Sequence, residues 1–514
     1  MNGTGGAGGG GGGAGGLLEN AWGLPPAALA LLSLAVALAT AWLLRPRGAK
    51  APPRLPSLPV VGGAYRFVVQ KPLGLFGEGY RRCGQVFTIP MFHKTVALLV
   101  GPEVTAQFFK GTDLQMSQKE VYQFNVPTFG RGVVFDVDHT VRREQFRWFA
   151  DALKPNRLRT YVDKMLDEAE DFFGKWGDEG ELDLNKELAT LLIMTASRCL
   201  LGKEVRETMF ERVSSLFHDL DMGMQPISVL FPHLPIEAHR KRDAARKEMS
   251  KVFAEVIEKR RAAVAAGGEK EVDILQAFID AKYSNVNGGR RSTDEEIVGM
   301  LIAGLFAGQH TSSVTSSWTS LYLHSKENRD RCLPPVLDEQ LRLMAEHGDR
   351  LDYDIISKMD HLHRAMKEAL RLHPPLIMLM RYAHEDFHVK TRDGKEYTIP
   401  KGTICGTSPT FTHRLEYIYK NPDMYDPDRF GPGREEDKYM PFSFIGFGGG
   451  RHQCMGENFA FMQVKCIVSV LLRNFDIELV SPLPKPDYDA MVIAPKGDCI
   501  VRYKRRKLAA KAEQ

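Results

Sequence analysis

The sequence predicts a mainly α-helical body with small β-sheets, carried on a single N-terminal membrane span. Three observations carry that expectation. Apolar residues recur at spacings of three and four over long stretches, among them 158–176, 204–220 and 241–266. Short β-branched or aromatic runs are few and scattered, at 85–89, 95–100, 387–389, 475–479 and 499–503. An uncharged run rich in Ala, Leu and Val, residues 20–44, precedes them all.

Composition narrows the function classes. The 514 residues carry 68 basic and 64 acidic side chains, a net +4, which is too weak a field to argue for a nucleic-acid partner. Seven cysteines are scattered without a Cys-x-x-Cys pair, which excludes a disulfide scaffold and common zinc modules and suits a reducing compartment.

In chain order, residues 1–19 form a glycine-rich tail that cannot bury a core and is expected to be disordered. As a helix, the 25 residues of 20–44 would rise about 37 Å, enough for a hydrocarbon core of about 30 Å. A cleaved signal peptide is the rival, but it lacks a basic leader: Glu19 is the only charged side chain before the run. Arg45, Arg47, Lys50 and Arg54 follow directly, so the positive-inside rule puts the rest of the chain in the cytoplasm. Residues 45–59 are basic and proline-rich and predict a semi-rigid hinge. The folded body is expected over 60–505, with a polar tail at 506–514 and a surface loop at 267–291.

Inside the body, Thr293-x-x-Glu296 is a capping box, and 297–323 then contains no carboxylate, Lys or Arg. A second membrane span is the rival reading. The polar run Gln309, His310, Thr311, Ser312, Ser313, Thr315, Ser316 argues instead for a buried core helix whose middle turn faces a polar site. The strongest local signal is Phe444-Ile-Gly-Phe-Gly-Gly-Gly-Arg-His-Gln-Cys454-Met-Gly456, before an amphipathic helix at 457–475. Neither the dinucleotide fingerprint nor the P-loop fits its glycines. Cys454 sits at a helix start beside Arg451 and His452, and both features favour thiolate over thiol. Glycines there let backbone approach a flat ligand.

These residues resemble a known family. Phe447-x-x-Gly450-x-x-x-Cys454-x-Gly456 is similar to the haem-ligand loop of cytochrome P450 monooxygenases, which implies that Cys454 binds haem iron. Glu368-x-x-Arg371 and Arg429 in Pro427-Asp-Arg-Phe match that family's buried ionic triad. Glu368-x-x-Arg371 alone could equally be a surface pair contributing about 0.2–0.5 kcal/mol. Ala307-Gly-Gln-His310-Thr311-Ser-Ser313 departs from the usual acid before the threonine. That departure, together with 121–136, resembles the sterol 14α-demethylase branch, in its plant and green-algal form.

The resemblance implies a helical P450 fold and a role for each matching residue. Tyr122, Arg143, Arg381 and His452 would pair with haem propionates, and Phe447 and Gly450 would shape the ligand loop. Phe135 stands where some relatives have a tyrosine, so one propionate hydrogen bond would be missing. Tyr122, Phe124, Phe129, Phe135, Met224, Ala307, Ile377, Met378, Met380, Met491 and Val492 would line a sterol pocket, although methionines at such spacing are often plain core. Gly308 would leave room for dioxygen, Thr311 would donate a hydrogen bond, and Asp221–His310 would carry protons. The implied reaction removes a sterol 14α-methyl group as formate in three oxygenations. Its electrons come from NADPH through the P450 reductase, and azole-type inhibitors would ligate the iron. Phe124 beside the sterol C4 would favour obtusifoliol over lanosterol-type sterols. The implied location is the endoplasmic reticulum membrane, facing the cytoplasm. Another haem-thiolate steroid hydroxylase and a non-catalytic membrane-anchored sterol-binding protein are the rivals.

Overall fold

The computed structural model describes residues 26–43, 50–57, 62–91, 94–488 and 490–508. The glycine-rich tail therefore lies outside the described residues, as do residues 20–25 and 44 of the expected span and parts of the hinge and C-terminal tail. Within that span, Pro26–Leu43 is one helix of 18 residues, about 27 Å long at 1.5 Å per residue. Leu31, Leu32, Leu34 and Val36 on it are exposed.

The body is mainly helical. Its axis is the 31-residue helix Asp294–His324, started by the expected capping box: Glu296 N–H donates to Thr293 Oγ1 at 3.2 Å and Thr293 N–H to Glu296 Oε2 at 2.8 Å. Such a reciprocal cap satisfies two donors that a helix start leaves open. This helix is long and apolar enough to cross a membrane, but most of it is buried inside the fold, as its polar middle required. It packs against Leu184–Ala196, Asp360–Leu372 and Glu457–Asn474. The stretch expected as one helix at 204–220 is two, Lys203–Thr208 and Phe210–Met222, divided at Met209. The next long helix is Glu237–Ala265.

The main sheet has five strands in the order Val86–Met91, Lys94–Leu99, Ile404–Thr407, Leu379–Ala383, Met116–Ser117, and only the Lys94–Leu99/Ile404–Thr407 pair is parallel. A three-stranded sheet joins Glu179–Asp183, Ile500–Arg505 and Phe475–Leu479. Register in the main sheet sets Arg381 opposite Cys405 and Met380 opposite Gly406, which fixes the faces these side chains can reach.

Candidate active site

The Cys454 loop is closed by its own backbone. Cys454 N–H donates to Phe447 O at 2.9 Å, and Gly448 N–H to Ile445 O at 3.0 Å. Gly450 has φ +64°, and a Cβ there would lie 2.0 Å from Phe109 O, so no side chain fits. Phe447 packs on Phe461 with ring centroids 5.2 Å apart. Cys454 is exposed, yet enough protein surrounds it that burial pushes its thiol pKa up, opposed by the Gly456 N–H. Arg451, three positions before it, is exposed.

The loop is braced from behind. Arg371 holds Glu368 through two bonds of 2.7 and 2.8 Å, and Arg429 Nε reaches the same carboxylate at 3.0 Å; all three side chains are fully buried. Glu368 and Arg371 are three positions apart on one helix, which puts both on one face. His413 carries this cluster to the loop, a role no sequence motif signalled. Arg371 Nη1 donates to His413 O at 2.8 Å, and Ile445 N–H donates to His413 Nε2 at 2.8 Å. The ring also stacks on Phe444, 4° from parallel. Burial, helped by Arg371, pulls the His413 pKa down to about 3. It is therefore neutral, with Nδ1–H toward Arg371 O at 3.2 Å and Nε2 as acceptor. Glu436, 2.6 Å from Arg429, is a further unforeseen member.

Beside the loop, Tyr122, Arg381 and His452 come together, and Arg143 does not join them. Arg143 is exposed; Arg142 is buried there instead. One step along a helix turns a side chain by about 100°, so an error of one residue exchanges the interior for the surface. Burial lowers the pKa of both Arg142 and Arg381 to about 10. Asp113, also missed from sequence, lies 2.9 Å from His452 Nε2 and 4.0 Å from Arg142 Nη1. Arg142 Nε is buried with no hydrogen-bond partner. Its guanidinium also lies over the rings of Phe135 and Phe146, 5.4 and 4.6 Å from their centroids. Met380 N–H donates to the Tyr122 hydroxyl at 3.2 Å.

Next to these groups runs an aromatic wall. Tyr122 stacks on Phe135 at 5.2 Å and lies 6.1 Å from Phe124; Phe129 lies 6.3 Å from Phe135 and 5.8 Å from Phe306. The following residue on the long helix, Ala307, is exposed, although it sits mid-helix between buried turns. At Gly308 an added Cβ would meet only Leu200 Cδ1, at 3.6 Å. That leucine belongs to a π-helical turn, Ser197–Leu201, a distortion often found at functional sites. The helix is thus open at Ala307–Gly308. Thr311 Oγ1 donates to Ala307 O at 2.6 Å. His310 Nε2 is 3.2 Å from Asp221 Oδ1, with 25% and 40% of the two side chains exposed. The pair is within ion-pair reach without hydrogen-bond alignment.

The remaining lining candidates divide. Met224 and Val492 pack against the core that holds Phe129 and Phe306. Ile377 and Met378 pack against a different cluster, with Leu98 and Phe76, under the main sheet. Ile493 N–H donates to Pro375 O at 3.0 Å, which brings the segment with Met491 and Val492 beside the stretch that leads into the strand bearing Met380.

A cytochrome P450 family model matches residues 52–501. The obtusifoliol 14-alpha demethylase of Sorghum bicolor is 57% identical over 460 residues, 89% of this chain and 91% of that protein. The sterol 14-demethylase of Arabidopsis thaliana is 56% identical over 461 residues, 90% of this chain and 92% of that protein. The lanosterol 14-alpha demethylase of Bos taurus is 38% identical over 471 residues, covering 90% and 89%. Among solved structures, a retinoic-acid-bound cyanobacterial CYP120A1 superimposes with a TM-score of 0.75 at 21% identity, covering 90% of this chain and all of that one. At that identity the likeness is one of fold.

Proposed function

The chain belongs to the cytochrome P450 family, a mainly helical haem-thiolate monooxygenase, and from that premise we propose that it removes the 14α-methyl group of a sterol precursor. The observation that carries this reading is the open turn at Ala307–Gly308, flanked by His310–Asp221 and by Phe306, which packs on Phe129 of the aromatic wall.

The residues present fit haem. An accessible cysteine stands two positions from His452, whose carboxylate neighbour Asp113 also lies 4.0 Å from buried Arg142, and Arg142 Nε has no partner, as expected where propionates complete the pairing. Cys454 would ligate the iron, and Arg142, Arg381, His452 and Tyr122 would hold the propionates, with Arg142 taking the role expected of Arg143. Thiolate-ligated haem supplies the splitting of the O–O bond. The chain's own residues do the rest. Gly308 leaves space, Thr311 holds a proton at Oγ1, and His310 Nε2 passes protons between Asp221, which solvent reaches, and the site. Three rounds consume three O₂ and three NADPH, release formate and leave a Δ14 double bond. NADPH-derived electrons come through the P450 reductase, docking near Cys454, where exposed Arg451 would favour an acidic partner.

Obtusifoliol is the preferred substrate in this reading, supported by the higher identity to the Sorghum enzyme and by Phe124 in the wall. Among the lining residues, Ala307, Met224, Met380, Met491 and Val492 would contribute to the pocket. Azole-type inhibitors would ligate the iron. A span at 20–44 and a hinge at 45–59 would hold the 60–505 body at the cytoplasmic face of the endoplasmic reticulum. Exposed Met222, Ile227, Leu230 and Phe231 support contact with lipid as well. Reduced full-length protein should give the haem-thiolate band with CO, lost in Cys454→Ser. With reductase and NADPH it should turn obtusifoliol into a Δ14 sterol and formate. Absence of the band, or inertness toward every 14α-methyl sterol, would overturn the reading.

A further inference from the structure

The one-turn helix Val126–Phe129 ends at the aromatic wall, and a helix this short cannot satisfy its last carbonyls from within. The Phe129 carbonyl is instead held from another element. Arg246, on helix Glu237–Ala265, donates to it from Nε at 3.3 Å and from Nη2 at 3.1 Å, while Nη1 bonds to Ser250. Two glycines make this approach possible. At Gly130, φ +104°, a Cβ would lie 2.4 Å from Arg246 Nη2; at Gly299 of the long helix a Cβ would lie 2.6 Å from Phe129 O. The carbonyl is thus clamped between a guanidinium and a bare Cα.

Among the described residues no carboxylate lies within 4.0 Å of Arg246; Glu295 acts on it only from farther away, and burial lowers its pKa. Its donors go to the wall. The same helix also pins the segment that follows Asp221. His239 Nε2 is 2.8 Å from Ser228 Oγ, Arg242 Nη1 donates to Pro232 O at 3.0 Å, and a Cβ at Gly223 would lie 2.5 Å from Arg242 Cβ. Helix Glu237–Ala265 therefore ties the wall carrying Phe124 and Phe129 to the segment carrying Asp221 and Met224.

We propose that Arg246 is a positioning residue for substrate: by holding the Phe129 carbonyl it sets where the Phe124–Phe129 edge of the wall stands against the sterol. This rests on the sterol reading above. Arg246 touches no reacting atom, so it acts on sterol affinity rather than on the chemical step.

The test uses full-length holoprotein with Arg246→Met, Arg246→Lys and Gly130→Ala. Obtusifoliol and, separately, imidazole are titrated by their absorbance shifts, and KM and kcat are measured with reductase. Losing two charge-assisted bonds in Arg246→Met should weaken obtusifoliol binding about tenfold and raise KM in parallel. kcat should stay within about twofold, because the chemical step is untouched. Imidazole, too small to reach the wall, should bind as in wild type. Arg246→Lys should recover part of the affinity, and Gly130→Ala, which displaces the guanidinium without removing its charge, should reproduce the methionine pattern. Unchanged sterol affinity in Arg246→Met or Gly130→Ala would overturn the proposal, as would a parallel loss of imidazole affinity. A wild-type protein that gives no shift with obtusifoliol would overturn the sterol reading itself.

Discussion

Glu368 and Asp221 are both carboxylates facing cations, and their settings differ in every respect that matters. Glu368 holds two arginines at 3.0 Å or less with no exposure, and His413 and Glu436 complete a closed network. Asp221 faces one histidine at 3.2 Å, misaligned, with 40% of its side chain exposed. The first arrangement permits one geometry and exchanges nothing with water, which suits a brace that keeps the Cys454 loop in place. The second is loose and wet, which suits groups that must give and take protons. Around it, Gln309 Oε1 and Ser312 Oγ are also buried without partners. Glu368, Arg371 and Arg429 leave no charged side-chain atom without a partner, whereas the turn around His310 leaves several polar atoms incompletely satisfied.

That contrast can be broken at either end. Glu368→Gln leaves Arg371 and Arg429 buried with a neutral partner; breaking such a pair costs about 3–5 kcal/mol. The variant should yield little folded haem protein, read from the CO band per unit of protein. Asp221→Asn should fold normally, since a half-exposed pair contributes little stability. Its turnover should fall on the order of 10², with an altered solvent isotope effect; turnover and isotope effect equal to wild type would remove Asp221 from the proton route.

Smaller effects sharpen the picture. His413 has a folded pKa of about 3, below the unfolded value of about 6.5. The stability it confers is therefore present above pH 6.5 and is lost as pH falls, by about 2 kcal/mol between pH 7 and pH 5. Denaturation midpoints at the two pH values should differ less in His413→Gln, which keeps an acceptor for Ile445 N–H and cannot titrate. Phe124→Leu should raise lanosterol turnover several-fold, because one methyl group in an apolar pocket is worth about 1–3 kcal/mol. No change would remove Phe124 as the cause of the preference.

Much of this contrast could be read before any coordinates. The capping box at Thr293 and the buried polar helix depend on local spacing, which sequence records directly, whereas the Glu368–Arg371–Arg429 set was legible only through the family resemblance, because Arg429 is distant in sequence. The strands 86–91, 94–99 and 475–479 were visible as apolar runs. Leu379–Ala383 and Ile404–Thr407 were not, because flanking methionines, an arginine and a glycine blur their alternation, and pairing across the sheet makes them strands. His413 and Asp113 escaped for a similar reason: each matters through a partner distant in sequence, and no local pattern marks it. Arg142 was missed by one residue because helix phase near a binding site is set by packing.

The most direct test of the central claim is a competition. Full-length protein, reductase and NADPH are given obtusifoliol and lanosterol in equal amounts, and both sterols and formate are followed. The account predicts that obtusifoliol disappears first, as a Δ14 product with matching formate. Consumption of neither sterol by protein with a sound CO band would contradict it.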